Sequence, residues 1–328
     1  MTAELLFTSK TIGLPTKAQM NELLAVHGLG TLLSFNETKE GAMKQTLSIV
    51  STKGEWIVKG NPIYEGQLEE EKYVIDCLAG KTSLQVPTPY IVHHDPAILG
   101  FAYSIMPKMK GKHLHDVAEK LIVADHSAIA RSLAGVLKEM HEWKSLSYGQ
   151  LHPLNHTIEP FHSSYKDWLF NRIVHWFHDA KKYSTLTEGD ERWLYGELRR
   201  ANDVFSKMND PCFIMGDVKP GNFLIDQLEG QWAISGLFDF TNSYFADPLV
   251  DLTKMTLFYQ RQDLVDIANQ FIAEYTTGQP VIEVQLRLRI HLLHQLVLDW
   301  GYFHAMGQPI HTSFEKWVRT IFIHLQLE

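Results

Sequence analysis

Apolar positions fall first at helical and then at strand intervals along the opening third of the chain. Met20, Leu23, Leu24 and His27 recur every three or four residues after Thr16, and Gln19 stands at capping-box distance from that threonine. The spacing predicts a short helix that ends at Gly28 and Gly30. Three β-rich runs follow, residues 31–35, 47–51 and 56–59, separated by the polar turn segments NETKEG and STKGE, and they predict a small antiparallel sheet. Residues 66–79 set Leu68, Tyr73, Ile75 and Leu78 among acidic positions, the pattern of an amphipathic helix stopped by Gly80. Strands at 90–93 and 101–106 complete this part.

From Lys108 onward the pattern turns helical, most clearly where Ile129, Leu133, Val136, Leu137 and Met140 line one face. One strand-like interruption, residues 213–239, holds the apolar runs FLI and AISGLF around a polar turn and predicts a hairpin set into helices. The segment VQLRLRI, residues 284–290, alternates like a strand, yet its continuation through Leu298 also fits a buried helix face. With no internal repeat and no long Gly/Ser/Pro linker, the reading is an α+β chain of two lobes that share an interface, 1–107 and 108–328.

Composition narrows the function. At 45% hydrophobic and 21% charged residues the chain can bury a core, which excludes a disordered or fibrous protein. A formal net charge of −8 without a dense Lys/Arg run excludes a nucleic-acid binder and makes a cationic or neutral substrate the easier one to accommodate. Cys77 and Cys212 sit among apolar residues and read as buried thiols. The opening residues lack the apolar core of a secretory signal, and no run reaches the roughly 18 apolar residues of a membrane helix, so the expected place is the cytoplasm, with no membrane partner.

The chemistry concentrates in MGDVKPGNFLID, residues 215–226, where Asp217 and Asn222 stand five residues apart around a Pro-Gly turn that runs straight into an apolar strand. A second motif, GLFDF, puts Asp239 at the end of the returning strand of the same hairpin. Phosphoryl transfer needs an Asp to orient or accept the proton of the attacking hydroxyl, the role of Asp217, and oxygen ligands to hold magnesium on the phosphates, the role of Asn222 and Asp239.

These motifs resemble the catalytic loop of the aminoglycoside phosphotransferase and choline kinase family, HGDxHxxN, and its strand ending in IDW or IDF; ADPLVDL, residues 246–252, is similar to the family's GDPxxDL segment. The resemblance implies a two-lobed protein-kinase-like fold that moves the terminal phosphoryl group of ATP or GTP, with Mg2+, to a hydroxyl of a small molecule, an aminoglycoside or other antibiotic first among the candidates, with choline-like, sugar and amino-acid alcohols also open. It implies that 1–107 is the nucleotide lobe and 108–328 the catalytic and acceptor lobe. Lys59 in EWIVKG resembles the strand lysine on the nucleotide phosphates, Glu71 its helix partner, and AYSIMPKMK the hinge whose backbone near Met106 and Lys108 meets the nucleobase. Two positions depart from the pattern: Met215 stands where the family has His, and Lys219 where it has His or Ser, a lysine that could neutralise charge on the transferring phosphoryl group. Backbone amides of residues 38–41 would contact phosphates as a nest.

Plainer readings compete at several of these positions. Glu70 rivals Glu71 as the partner of Lys59, and Asp247 and Asp251 read as braces of a helix start. The pairs His113/His115 and His291/His294 have spacings a zinc site could use but no accompanying HExxH or CxxC. Asp299, Trp300 and Tyr302 read as packing residues. A catalytically silent nucleotide-binding scaffold on the same fold is the alternative to an enzyme, and Asp217, Asn222 and Asp239 argue against it.

Overall fold

The computed structural model describes residues 13–38 and 45–328. Helix α1 (Lys17–Val26) opens on the expected capping box: the Gln19 amide donates to Thr16 Oγ1 at 3.3 Å, and Gln19 Oε1 accepts from the Thr16 amide at 2.8 Å. Beneath it lies a five-stranded antiparallel sheet of β1 (Leu32–Glu37), β2 (Gln45–Ser51), β3 (Gly54–Gly60), β4 (Ile91–His93) and β5 (Tyr103–Pro107), in the order β1-β2-β3-β5-β4. Strand β2 alternates buried and half-buried residues, as period-2 patterning requires. Leu47, Ile49, Val58, Tyr103 and Ile105 close over Met20, Leu23 and Leu24 to form the core of this smaller lobe. Of the phosphate-nest segment, only Thr38 falls within the described residues.

Helix α2 (Gln67–Lys81) connects β3 to β4 and passes through Gly80, one residue beyond the expected stop. Gly80 keeps helical geometry, and the turn is closed instead by Thr82, whose backbone is extended and whose amide and hydroxyl both donate to Leu78 O, at 3.0 and 2.6 Å. A glycine ends a helix only where the chain takes up its left-handed freedom, and here it does not.

The larger lobe is helical, with two small sheets set into it. Strands β10 (Phe223–Leu228) and β11 (Gln231–Leu237) form the expected hairpin, extended by β6 (Lys112–His113). Its two-residue turn, Glu229 at φ 52° and Gly230 at φ 82°, has the left-handed geometry that matches strand twist. The second sheet, β8 (Ile158–Pro160), β7 (Gly149–Leu151), β12 (Tyr244–Ala246) and β9 (Cys212–Ile214), consists of three-residue strands too short to show a period in sequence. Around them pack α3 (Leu114–Val117), α4 (Val123–Met140), α5 (Tyr165–Ala180), α6 (Glu188–Ser206), α7 (Thr253–Arg261), α8 (Val265–Thr276), α9 (Val281–Ala305) and α10 (Phe314–His324).

The ambiguous segment 284–290 is helical, inside α9. This helix runs through the middle of the lobe, with Leu288, Arg289, Ile290, His291, Leu292 and Leu293 consecutively buried, so no solvent face imprints a period of 3.6. The polar letters that mimic a strand are buried partners: Arg287 bonds Asp247, and Arg289 holds Glu197 and the Leu327 carbonyl. Both cysteines are free, Cys212 buried and Cys77 half-buried. Trp300 is buried against Phe314 and Trp317, and its Nε1 donates to Ser184 Oγ at 2.7 Å, which is the packing role expected of it. Among the described residues no helix is long and apolar enough to cross a membrane.

Candidate active site

The loop between β9 and β10 is pinned from behind by a single carboxylate. Asp251, 2% exposed, accepts the amides of Met215 and Gly216, both at 2.7 Å, and lies 3.1 Å from His141 Nε2. His141 Nδ1 in turn sits 2.6 Å from the Tyr275 hydroxyl. Gly216 has φ 72°, and a Cβ there would lie 2.2 Å from Asn242 O, so no other residue fits without moving the loop. Met215 is fully buried and contributes its amide to Asp251, so the loop is braced through its backbone.

The same loop presents Asp217, itself 5% exposed. Asn222 Nδ2 donates to both the carbonyl and Oδ2 of Asp217 at 2.9 Å, which turns its own carbonyl oxygen away from Asp217. Lys219 Nζ donates to Asp217 Oδ2 at 2.8 Å, and Lys254 Nζ, from the first turn of α7, pairs with Oδ1. Each carboxylate oxygen therefore faces an ammonium group.

Asp239 follows β11 in left-handed backbone geometry, φ 68°, a conformation an Asp adopts where the surroundings impose it. Its Oδ1 accepts from Lys59 Nζ at 3.2 Å and from Thr241 Oγ1 at 3.1 Å. Lys59 reaches across from β3, and its ammonium also donates to Glu71 Oε1 at 2.6 Å. Glu71 Oε2 accepts from the Tyr90 hydroxyl at 2.8 Å, which accepts from Ser104 Oγ at 2.8 Å. Burial alone pulls the Lys59 ammonium towards neutrality, but the charges of Asp239 and Glu71 outweigh it and hold its pKa above the usual lysine value. The choice between the two glutamates is settled by geometry: Glu71 holds Lys59, whereas Glu70 accepts from the Tyr64 hydroxyl at 2.7 Å.

Met106 is 4% exposed on β5, in register with Ile57. Lys108 turns to the outer end of β3: its amide donates to Glu55 O at 3.0 Å and its ammonium to Glu55 Oε2 at 2.6 Å, so of its backbone groups only the carbonyl is left for a base edge. Asp247 caps the 3-10 turn Pro248–Leu252 through the Leu249 amide at 3.1 Å and binds Arg287 Nε at 2.9 Å and His291 Nε2 at 2.8 Å. Burial would raise its pKa, but the Arg287 and His291 charges dominate and hold it well below the carboxylate range. His113 and His115 stack on each other, and His291 serves Asp247, so neither histidine pair frames a metal. Sequence reading missed His141, Tyr275, Tyr90, Lys254 and Arg287, which the packing of α4, α8, β4, α7 and α9 brings to the site. Lys254 alone left a signal, three residues beyond Asp251 and one turn along the same helix start.

For a magnesium ion the donors fit. Asn222 offers the oxygen left over from its bonds to Asp217, and Asp239, its side chain 32% exposed, faces the cleft. Among the described residues no three His, Cys, Asp or Glu side chains cluster to hold a metal by themselves, so such an ion would draw its other ligands from phosphates and water.

A model of the phosphotransferase enzyme family matches residues 36–284. No curated protein sequence matches the chain. Among solved structures, the GDP complex of wild-type aminoglycoside 2'-phosphotransferase-IIIa superposes with TM-score 0.64 at 15% identity, covering 95% of this chain and 97% of that one. A thermostable mutant of aminoglycoside phosphotransferase APH(4)-Ia in a ternary complex with ADP and hygromycin B gives 0.65 at 15% identity, over 95% and 99%. The GDP and kanamycin complex of APH(2")-IIIa gives 0.65 at 14%, over 95% and 98%. At these identities the likeness speaks for the two-lobed fold, while the family model takes in Lys59, Glu71, Asp217, Asn222 and Asp239. By that match the chain belongs to the phosphotransferase enzyme family and is a small-molecule kinase.

Proposed function

We propose that this protein moves the terminal phosphoryl group of ATP or GTP to a hydroxyl of a small molecule, with Asp217 as the base. The observation that carries the reading is the meeting of the two lobes at Lys59 and Asp239, 3.2 Å apart, beside a loop that holds Asp217 and Asn222 in mutual hydrogen bonds. Asp217 orients the acceptor hydroxyl and takes its proton as the oxygen bonds to the terminal phosphorus; the bond to the bridging oxygen breaks, and the nucleoside diphosphate leaves. Lys59, fixed by Glu71, holds the inner phosphates, and Lys219 offsets charge on the transferring group. Asn222 and Asp239 are the residues that would hold Mg2+, which supplies charge neutralisation along the phosphates. Backbone groups near Met106 and Lys108 line the base pocket, residues up to 107 form the nucleotide lobe and 108–328 the catalytic and acceptor lobe, and the enzyme works in the cytoplasm.

The test is release of ADP or GDP with and without magnesium, against aminoglycosides, macrolides, choline-like amines and sugars. Asp239→Asn is expected to raise the magnesium requirement and to lower kcat by about 10²-fold. Turnover that is independent of magnesium in both proteins refutes the assignment of Asn222 and Asp239.

A further inference from the structure

The acceptor side of the loop carries more positive charge than the phosphate chemistry uses. One carboxylate, Asp217, faces two ammonium groups, Lys219 and Lys254. Beside it the ring of Tyr244 lies against Gly216, 3.4 Å from where a Cβ would stand. Half-buried Trp168 packs on Tyr244 with ring centroids 5.6 Å apart, and the Arg172 guanidinium sits over Trp168, 4.9 Å from its ring centre. Arg172 is exposed and makes no ion pair among the described residues. Across from it on α9, His294 Nε2 is buried without a hydrogen-bond partner. Burial, then the charges of Arg172, His291 and Lys254, lower the pKa of that imidazole to about 3.

Carboxylates on the surrounding elements do not balance this charge, because each has a partner. Asp239 is held by Lys59, Asp247 by Arg287 and His291, Asp251 by the loop amides and His141, Asp299 by Arg261, and Asp167 by Lys166. Arg172 and one of the two lysines are left in surplus beside an aromatic wall, in a chain whose net charge is −8. A local surplus of cations attracts anions and repels amines over about 8 Å, the Debye length at physiological salt, whatever the total charge.

We propose that the acceptor is a hydroxylated anion, a polyol or sugar bearing a carboxylate or phosphate, whose charged group is held by Arg172 and Lys254 while a hydroxyl faces Asp217. This rests on the phosphotransferase reading of the same site and reverses the expectation of a cationic or neutral substrate drawn from net charge. An anion here also releases Lys254 from Asp217, leaving the carboxylate oxygen it covered to meet the hydroxyl.

The experiment is equilibrium binding to the full chain loaded with magnesium and AMP-PNP, using one six-carbon skeleton in four forms: D-glucitol, D-gluconate, D-glucitol 6-phosphate and D-glucamine. At least one anion is expected to bind about tenfold or more tightly than glucamine, a difference of about 1.4 kcal/mol. Comparison of the two anions tells carboxylate from phosphate. The preference is expected to shrink in Arg172→Gln, to survive in Arg172→Lys, and to weaken with added salt. No preference for an anion, absent binding of all four included, or equal selectivity in wild type and Arg172→Gln, overturns the inference. Turnover stimulated by kanamycin alone also overturns it while leaving phosphotransfer intact. Anion-selective binding with no turnover for any acceptor upholds it and counts against the transferase reading instead.

Discussion

Replacing Asp251 with Asn removes one of two acceptors while preserving shape. The two oxygens of Asp251 are both in use, Oδ1 on the Gly216 amide and Oδ2 on the Met215 amide and His141, and the group is 2% exposed. An asparagine keeps one oxygen, so whichever way it turns, one backbone amide meets an NH2 group. A buried donor left unsatisfied costs about 1–3 kcal/mol, and one that has lost a charged acceptor sits at the upper end, so Asp251→Asn should destabilise by about 2–3 kcal/mol. Asp251→Ala strands both amides and His141, for about 3–6 kcal/mol. Since stability is about 5–15 kcal/mol in all, the Asn variant folds and can be assayed. Its urea midpoint should fall with an unchanged m value. A loop displaced by about 1 Å should lower kcat by about 10²-fold, with nucleotide affinity nearly intact because Lys59 and Glu71 are untouched. An Asn variant within about 0.5 kcal/mol of wild type, with unchanged kcat, refutes the claim that Asp251 positions the loop.

Three further outcomes are expected. Gly216→Ala drives a methyl to within 2.2 Å of Asn242 O at a φ of 72°, so it should destabilise by about 3 kcal/mol or more, read by thermal unfolding; a wild-type Tm contradicts the geometry. Tyr90→Phe takes a donor from Glu71 and should cost about 1–3 kcal/mol, raising the nucleotide KM more than it lowers kcat, and steady-state kinetics separate the two. His294, its pKa lowered to about 3 from an ordinary 6.5, stays neutral in the fold while the unfolded chain takes up a proton below pH 6.5. Its contribution is complete above that pH and is lost as pH falls, by about 1–2 kcal/mol between pH 7 and 5, so His294→Asn should flatten the acid limb of a stability-pH curve by that amount; an unchanged limb rules this out.

What could be read from the sequence was whatever is encoded locally. The capping box at Thr16 and Gln19, the apolar face of α4 and the hairpin turn at Glu229 and Gly230 each follow from neighbouring residues, and all three stand in the structure. The loop from Met215 to Asn222 was legible because its motif residues lie close together in the chain and bond one another, Asn222 to Asp217, although its brace, Asp251, and Lys254 come from outside it. Helix α9 was ambiguous because burial on every side removes the polar face that periodicity reads, and its arginines look like strand alternation until Asp247 and Glu197 are seen to meet them. His141, which ends α4, and Tyr275, on α8, act only through Asp251, a relation that exists after the helices pack.

Activation of the acceptor hydroxyl by Asp217 is the step on which the proposed reaction depends. The most direct test is magnesium-dependent release of nucleoside diphosphate by wild type and Asp217→Asn with the acceptor that stimulates wild type most. Stimulated turnover is expected to fall by about 10²-fold or more in the variant, with nucleotide affinity unchanged within about threefold. Turnover in Asp217→Asn equal to that of wild type contradicts it.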